Sequence, residues 1–366
     1  MKNPIRVLIV DDSALVRKLL TSLLGADPGI TVVGTASDPY IARDKIKKLK
    51  PDVLTLDIEM PRMDGITFLR NLMRLHPMPV VMISSPNRKR ADATFDALEL
   101  GAVEFVNKPV SNIAENLVHY REEIISKLKL AAGARILPHE NMRPGDADIR
   151  QQLPASDAIL DRVSGRRQFP VRDAILAIGA STGGTEAIRE VLAELPSTAP
   201  ATVITQHIPA AFSKAFAARL NSVCAIHVCE ARNGQELQPG HAYIAPGDQH
   251  LVVVRDGAGF RCRLSDGPPV NRHKPSVDVM FRSVAESAGS SVMAILLTGM
   301  GNDGASGMKE LREAGALTIA QDEASSVVWG MPGSAVKLGA AEEVLSLDRI
   351  ADCIVSWAAS GRKFGT

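Results

Sequence analysis

The feature that most constrains the fold is a regular alternation of short, β-branched apolar runs with amphipathic helical patterns. In the first half, the apolar runs are IRVLIV, ITVVGTAS, DVLTLDI, PVVMISS and AVEFVNKP, and a helical pattern follows each of them. Strands that alternate with helices in this way indicate βαβ units and a parallel sheet. We therefore predict a doubly wound α/β domain with a five-stranded parallel sheet in residues 1–130. Functional side chains are expected at the carboxyl ends of its strands.

A second α/β series follows a stretch of different composition. Residues 131–170 mix proline, glycine and charge, with one short helical pattern at ASDAILDRV, and we interpret them as an interdomain linker. In residues 171–366, AILAIGAS, ATVITQHIP and VMAILLTGMG are near-continuous apolar runs, which are typical of buried parallel strands. Helical patterns follow two of them. The alternating stretch HAYIAPGDQHLVVVRDGAGFRCRLS predicts an antiparallel hairpin. This second domain is thus expected to be α/β with a mainly parallel sheet.

Composition excludes several classes of function. The 366 residues are 45% hydrophobic and 23% charged, as in a soluble globular protein of two or three domains. A net charge of +1 gives no overall field for nucleic acid or an anionic membrane. No apolar stretch approaches the ~20 residues that span a bilayer. Four cysteines without C-x-x-C spacing suit a reducing compartment. We expect a cytoplasmic protein with no nucleic-acid partner and no membrane insertion.

Acidic residues and a lysine follow three strands of the first domain. Asp11 and Asp12 end the first strand, Asp57 ends the third and Lys108 ends the fifth. Carboxylates that converge at one sheet edge repel each other, and a divalent cation such as Mg²⁺ relieves that repulsion through oxygen ligands. Lys108 supplies a positive charge that can hold a transferred phosphoryl group. The alternative is structural: Asp11 caps a helix, and Asp57 opens a turn before Pro61.

With Ser84 in VVMISS and Phe105 in FVNKP, these residues make residues 4–125 resemble the receiver domain of two-component response regulators. The resemblance implies that Asp57 accepts a phosphoryl group. It assigns the Mg²⁺ site to Asp11, Asp12, Asp57 and the carbonyl of Glu59. It assigns the phosphate-sensing and switch positions to Ser84, Phe105 and Lys108. Serine and phenylalanine differ from the commoner threonine and tyrosine; Ser84 still donates a hydrogen bond, whereas Phe105 can only bury or expose a ring.

The stretch AILAIGASTGG contains the first candidate catalytic residue of the second domain. Gly179-Ala180-Ser181-Thr182-Gly183 matches G-x-S-x-G, the nucleophile-elbow pattern, and it lies between a strand and a helix as that motif requires. A Walker loop is excluded because the stretch has no lysine, and the dinucleotide pattern G-x-G-x-x-G is absent. Two alternatives stay open. The glycine-rich loop binds an anion at the helix N-terminus, or Ser181 is only a helix N-cap.

A serine nucleophile needs a base, and histidine is the natural one near neutral pH. Among eight histidines, His207 ends the strand ATVITQH at the same sheet edge as Ser181, and His273 in NRHKPSVD is the second candidate. Asp303 follows the strand AILL and suits the carboxylate that orients the imidazole, although it is also a possible N-cap. The order Ser…His…Asp differs from that of α/β-hydrolases and predicts a separate architecture.

Seven motifs then make the second domain resemble the catalytic domain of the chemotaxis protein-glutamate methylesterase family: AIGASTGG, TQHIP, YIAPGDQHL, HKPSVDVMF, LLTGMGNDG, IAQDE and WGMPGSA. The resemblance implies that Ser181 is the nucleophile, His207 the base and Asp303 its partner. The implied reaction is hydrolysis of γ-glutamyl methyl esters on methyl-accepting chemotaxis receptors, with methanol release and deamidation of certain receptor glutamines. Backbone N–H groups of Thr182 and of the Met300–Gly301 loop are the oxyanion candidates.

The same resemblance carries expectations about cofactors, partners and control. Mg²⁺ is expected in the receiver and no cofactor in the catalytic domain, with the chemotaxis histidine kinase as phosphodonor. We hypothesise that the receiver covers the cleft until Asp57 is phosphorylated. Two other classes of protein are considered as alternatives. A DNA-binding regulator is disfavoured because the second half has no helix-turn-helix and no basic helix. A non-catalytic adaptor would keep its function without Ser181.

Overall fold

The computed structural model describes residues 3–84, 91–108, 113–134, 174–257 and 259–360. The first domain holds five strands: Ile5–Val10 (β1), Ile30–Ala36 (β2), Val53–Asp57 (β3), Val80–Ser84 (β4) and Glu104–Asn107 (β5). They form one parallel sheet in the order β2-β1-β3-β4-β5, which confirms the predicted sheet. The helices of this domain are Ala14–Gly25 (α1), Pro39–Leu49 (α2), Gly65–Leu75 (α3), Ala91–Glu99 (α4) and Ile113–Gly133 (α5).

The start of α2 shows how local sequence sets an element. The side chain of Asp38 accepts hydrogen bonds from the backbone N–H groups of Tyr40 and Ile41, and Pro39 occupies the first turn. Both choices are favourable because the first N–H groups of a helix have no partner within it and because proline has no N–H to lose. The pattern Asp-Pro therefore predicts the first residue of this helix correctly.

The second domain is built on seven parallel strands: Ile175–Ala180 (β6), Ala201–Gln206 (β7), His227–Glu230 (β8), His241–Ile244 (β9), Val292–Leu296 (β12), Leu317–Gln321 (β13) and Glu343–Leu345 (β14). Their order in the sheet is β14-β13-β12-β6-β7-β9-β8. Two more strands, His250–Asp256 (β10) and Gly259–Ser265 (β11), form a separate antiparallel pair. The helices are Gly184–Ala193 (α6), Ala210–Val223 (α7), Val277–Ala288 (α8), Ala305–Glu313 (α9), Met331–Lys337 (α10) and Leu347–Ser360 (α11).

The predicted hairpin is shorter than the alternating stretch that suggested it. Only β10 and β11 pair as a hairpin, whereas β9 pairs in parallel with β7 and β8 in the main sheet. The physical reason is burial: Ala242, Tyr243 and Ile244 are consecutive buried residues, as in a strand covered on both faces. Of the helices described in this domain, only α6 and α9 were predicted from the sequence.

Both sheets reverse their strand order at one point. In the first domain this point lies between β1 and β3, and in the second it lies between β6 and β12. Such a reversal opens a crevice at the carboxyl ends of the strands, where open α/β sheets place their sites. Asp11 and Asp57 lie at the first crevice, and Ser181 lies at the second.

The two domains pack against each other through aromatic side chains. Phe95 on α4 stacks on Phe216 of α7 with ring centroids 5.5 Å apart, and it meets Phe212 edge-on at 6.2 Å. Phe105 on β5 lies 4.9 Å from the same Phe212 ring. These rings belong to one hydrophobic core that continues from the first domain into the second. Burial of aromatic area makes this interface a stabilising contact.

The boundary predictions fall largely outside the described residues. Helix α5 extends to Gly133, so the first three residues of the predicted linker belong to this helix. Residues 135–173, which include the rest of the linker and its helical pattern ASDAILDRV, are not among those described. In the described parts of the chain, no helix has the length and apolar character that crossing a membrane requires.

Candidate active site

The three residues predicted for hydrolysis lie at three neighbouring strand ends. Ser181 follows β6, His207 follows β7, and Asp303 lies in the loop between β12 and α9. Strand β6 pairs with β12 on one side and with β7 on the other. All three residues line one cavity of about 670 Å³. The arrangement is compatible with a triad built from strand ends.

The turn after β6 is held by its two neighbours in the sheet. The backbone N–H of Ser181 donates to the carbonyl of Thr298 at 3.0 Å, and its carbonyl accepts from Gln206 Nε2 at 2.8 Å. The N-cap of α6 is Gly183, and no side chain caps this helix, so the cap interpretation of Ser181 is wrong. Within the described residues Ser181 Oγ makes no hydrogen bond, which leaves the hydroxyl available for chemistry at the edge of the cavity.

Asp303 is a buried carboxylate in a dense set of donors. It accepts hydrogen bonds from His207 Nε2 (2.9 Å), Asn271 Nδ2 (2.8 Å), Ser276 Oγ (2.8 Å) and the backbone N–H of Val277 (2.6 Å). Burial alone would raise its pKa, but these bonds, led by that from His207, lower the pKa well below its usual value. Asp303 therefore stays charged next to the imidazole.

The alternative interpretation of Asp303, as the N-cap of the helix that follows it, is wrong. Helix α9, which follows it, has Gly304 as its N-cap. The carboxylate instead accepts from the first backbone N–H of α8, an element distant in sequence. The positive end of a helix dipole stabilises a negative charge there. Asn271 and Ser276 were not predicted as partners of Asp303, and the only signal near them is the polar loop NRHKPSVD.

The two candidate histidines lie against each other. The rings of His207 and His273 are stacked with centroids 3.8 Å apart and an interplanar angle of 4°. His207 contacts Asp303 through Nε2, and its buried Nδ1 has no hydrogen-bond partner within the described residues. Burial, followed by the proximity of His207, lowers the pKa of His273 to about 4. Of the two, His207 combines a contact with Asp303 and a ring nitrogen without a partner in the described residues, and His273 is a neutral ring packed on it.

The backbone of the loop that carries His273 is strained. Asn271 and Arg272 have φ values of 52° and 69°, in the left-handed region that non-glycine residues rarely adopt. Such strain persists only where surrounding contacts hold it, and it clusters at functional sites. Here the contacts are the bonds from Asn271 Nδ2 to Asp303 and to Asp278 (2.6 Å).

The predicted oxyanion donors are compatible with that role. Neither the backbone N–H of Thr182 nor that of Met300 makes a hydrogen bond within the described part of the chain, and both residues line the cavity. The side chain of Thr182 is engaged: its Oγ1 donates to Glu104 Oε2 of the first domain at 2.9 Å. Met300 Sδ lies 3.7 Å from Ser126 Oγ, also of the first domain.

The first domain forms one wall of this cavity. Its lining includes residues from β5 and α5: Glu104, Glu123, Ser126, Lys127 and Leu130. Two of them contact the second domain directly, Glu104 at Thr182 and Ser126 at Met300. The cavity that contains Ser181 is therefore lined by both domains.

The acidic cluster of the first domain lies at the crevice between β1 and β3. Lys108 Nζ lies 2.7 Å from Asp57 Oδ2 and 3.0 Å from Asp11 Oδ2. One oxygen each from Asp11, Asp12 and Asp57 lies within 4.8 Å of the others. Burial raises the pKa of Asp57 to about 6, and the Lys108 ammonium is the positive charge that faces Asp57 Oδ2 and Asp11 Oδ2. Three carboxylates whose oxygens lie this close together form a set of hard oxygen ligands that fits a divalent cation.

The remaining predicted receiver residues are placed as follows. Glu59 follows β3, and its backbone N–H hydrogen-bonds Asp57. Ser84 is the last residue of β4, and its side chain lies outside the described residues. Phe105 is buried against Phe212 of the second domain.

Taken together, a 2-1-3-4-5 parallel sheet with an acidic crevice, joined to a second α/β domain with a Ser–His–Asp cluster, defines a response regulator with an enzyme-like output domain. Residues 7–119 match the response regulator receiver domain, and residues 176–354 match the family described as CheB methylesterase. The chain belongs to the CheB methylesterase family.

Known proteins match this chain over nearly its whole length. A protein of Xanthomonas oryzae pv. oryzae is named protein-glutamate methylesterase/protein-glutamine glutaminase 2. It is 56% identical to this chain, and the match covers 99% of each of the two chains. A Hydrogenovibrio crunogenus protein-glutamate methylesterase/protein-glutamine glutaminase is 55% identical over 97% of this chain and 99% of its own length. The CheB methylesterase catalytic domain of Thermotoga maritima matches with a TM-score of 0.50 and 36% identity, covering 51% of this chain and 99% of that domain.

Proposed function

We propose that this protein hydrolyses γ-glutamyl methyl esters on chemotaxis receptors, releasing methanol, and that it deamidates receptor glutamines. The observation that carries the proposal is the placement of Ser181, His207 and Asp303 at three adjacent strand ends around one cavity. The names of the full-length relatives support the substrate class.

The chemistry follows from the hydrogen bonds. Ser181 Oγ attacks the γ-carbonyl carbon of the substrate while His207 accepts its proton. Asp303 accepts from His207 Nε2 at 2.9 Å, so its charge orients the ring and stabilises the imidazolium. The protonated His207 then gives its proton to the leaving methoxide or amide. Methanol or ammonia departs, and water hydrolyses the acyl-enzyme by the same steps, leaving a glutamate γ-carboxylate.

Negative charge on the carbonyl oxygen needs nearby donors. The backbone N–H groups of Thr182 and Met300 are proposed for this role, since neither has another partner within the described residues. Removing one oxyanion donor typically lowers the rate by ~10²–10³-fold. Because both are backbone groups, side-chain substitution of Met300 should leave this contribution in place.

The first domain is proposed to regulate the second. Asp57 accepts a phosphoryl group from the histidine kinase of the pathway, in the cytoplasm. Asp11, Asp12 and Asp57 would hold Mg²⁺ there, together with the Glu59 carbonyl. The ion supplies positive charge that offsets the carboxylates and the phosphoryl oxygens. Lys108, now paired with Asp57 and Asp11, is available to bind the phosphoryl group. Phosphorylation then moves the domain away from the cavity that it lines.

The experiment measures methanol release from methylated receptor membranes by the full chain, with Mg²⁺ and a phosphodonor. Ser181→Ala should lose all detectable release, about 10³-fold or more, because no other group supplies the nucleophile. The matched control is Ser290→Ala, which alters an exposed serine just before β12, at the opposite edge of the sheet, and should retain full activity.

Three other outcomes contradict parts of the proposal. Equal release by the native chain and Ser181→Ala would mean that the nucleophile is another residue. No release by either, with Asp57 shown to be phosphorylated, would favour the adaptor interpretation. Release that is unchanged by Asp57→Asn or by removal of Mg²⁺ would refute the proposed regulation while leaving the hydrolase assignment intact.

A further inference from the structure

One side chain of the first domain reaches the residue next to the proposed nucleophile. Glu104, on β5, places its carboxylate Oε2 2.9 Å from Thr182 Oγ1, which donates to it. Thr182 is buried and directly follows Ser181 in the turn after β6. Both Glu104 and Thr182 line the cavity that holds His207 and Asp303. A glutamate side chain therefore lies in the site that is proposed to act on glutamyl side chains.

The position of this carboxylate is set from the first domain. Its other oxygen, Oε1, accepts from the backbone N–H of Phe105 at 3.1 Å, so both oxygens have a donor. Lys127 lies close by and donates to the carbonyl of Phe105 at 2.7 Å. Burial lowers the pKa of Lys127, but the charges of Glu104 and Glu123 outweigh burial and raise it, so the ammonium stays charged beside Glu104.

The chemistry of the occupant is that of the reaction product. Hydrolysis of a glutamyl γ-methyl ester leaves a γ-carboxylate on a two-carbon stem, and Glu104 presents the same group. We propose, on the basis of the proposed function, that Glu104 is an internal product mimic and that Thr182 Oγ1 is the donor that recognises a γ-carboxyl oxygen of the substrate. Thr182 would thus serve twice, through its side chain for recognition and through its backbone N–H for the oxyanion.

The same strand connects this contact to the phosphorylation site. Strand β5 carries Glu104 and Phe105, and it is followed at once by Lys108, which is paired with Asp57. A change in the contacts of Lys108 on phosphorylation therefore acts on the strand that holds the mimic in place. Withdrawal of Glu104 by even a short distance breaks a bond of 2.9 Å and frees Thr182 Oγ1 for substrate.

The test separates recognition of a carboxylate from simple obstruction. The probe is L-glutamate capped at both ends as its N-acetyl, N-methylamide derivative. Its binding to the full, unphosphorylated chain in a Ser181→Ala background is followed by NMR titration, so no turnover is needed. Glu104→Met keeps most of the side-chain volume but removes the carboxylate. The matched control is Glu123→Met, because Glu123 lines the same cavity and its ion pair is with Lys127 of its own domain.

We expect Glu104→Met to bind the capped glutamate about tenfold more tightly than the native sequence or Glu123→Met, the effect of one hydrogen bond to a charged group. Adding Thr182→Val should cancel the gain, and capped norleucine should bind equally weakly to every variant. Unchanged binding by Glu104→Met, or a gain that survives Thr182→Val, would overturn the inference. Methanol release by the phosphorylated native chain, measured in parallel, tests the proposed function separately.

Discussion

At the residue scale, the site combines a carboxylate held charged with an imidazole held neutral. Asp303 is kept ionised by hydrogen bonds from side chains and from the start of α8. His273 is kept neutral by burial and by the proximity of His207. A second cation stacked 3.8 Å from the imidazolium that forms on His207 would oppose the reaction. The neutral ring of His273 instead supports the orientation of His207 at no electrostatic cost.

The lowered pKa of His273 predicts an acid-sensitive stability. The unfolded chain binds a proton on this imidazole near pH 6.5, whereas the folded chain does so only near pH 4. Between these values the unfolded state binds more protons, so the free energy of unfolding falls as the pH falls. His273→Phe keeps a ring against His207 and removes the titration. From pH 7 to pH 4.5, the native chain should lose up to about 3 kcal/mol more than this variant.

Urea unfolding of both chains at the two pH values measures this difference. The comparison between chains is needed because Asp57, whose pKa is raised to about 6, acts with the opposite sign in the same window. Its contribution is common to both chains and cancels. Parallel pH curves for the native chain and His273→Phe would contradict the prediction.

At the scale of elements, the turn between β6 and α6 depends on a glycine. Gly183 has φ of +76°, and a Cβ there would lie 2.8 Å from the side chain of Val327. Gly234 has nearly the same φ, +77°, but nothing lies within 4 Å of its Cβ position. The two glycines therefore separate the cost of the backbone conformation from the cost of a clash.

Alanine at each position should give different losses. Gly234→Ala should cost about 1 kcal/mol of unfolding free energy, since only the left-handed conformation is penalised. Gly183→Ala should cost about 2–5 kcal/mol, since overpacking adds to that penalty. Gly183→Ala should also lower methanol release, because the turn that holds Ser181 must shift. Chemical denaturation of the two variants measures both losses of unfolding free energy, and equal losses would contradict the prediction.

The elements also show which parts of the site are accessible to sequence analysis. The turn at Ser181 is local: an apolar run, a glycine-bounded serine and a helical pattern predict it together. The strand-end positions of His207 and Asp303 follow from the alternation of strands and helices, which the fold confirms. Strand β9 was predicted wrongly because four residues with one polar end do not distinguish an edge hairpin from a buried parallel strand.

The partners of Asp303 could not be predicted from the sequence, for a different reason. Asn271, Ser276 and the N-terminus of α8 come to this carboxylate through tertiary packing, from a loop with unusual backbone angles. No periodicity or cap pattern encodes a contact of this kind. The contact between Glu104 and Thr182 is similarly non-local, since it joins two domains. Residue types at strand ends are thus predictable from sequence, whereas the groups that orient them are not.

At the scale of the whole molecule, the interface between the domains holds the first domain against the cavity of the second. Besides the aromatic contacts, Arg219 of α7 binds two carboxylates of α4: Nε and Nη2 lie 3.0 and 2.5 Å from Glu99, and Nη2 lies 2.8 Å from Asp96. A guanidinium that binds a carboxylate through two nitrogens is one of the stronger surface ion pairs. It stabilises the arrangement in which the first domain lines the cavity.

Loss of this ion pair should therefore raise activity without phosphorylation. Arg219→Ala removes about 1 kcal/mol of interface energy, which corresponds to about a fivefold larger population with an accessible cavity. Methanol release by the unphosphorylated variant should rise by about that factor. Release by the phosphorylated variant should change much less, because the interface is already displaced there. High salt should produce a similar rise in the native chain, since the pair is partly exposed.

The control for Arg219→Ala is Arg282→Ala. Arg282 on α8 binds Glu310 on α9 through the same two nitrogens, at 2.9 and 2.6 Å, but both residues belong to the second domain. Its loss removes a comparable ion pair without touching the interface, so unphosphorylated release should stay at the native level. A rise in both variants would indicate a general loosening of the catalytic domain. A rise in neither would mean that the other contacts between the domains, such as those of Phe95, Phe105 and Glu104, keep the cavity covered without Arg219.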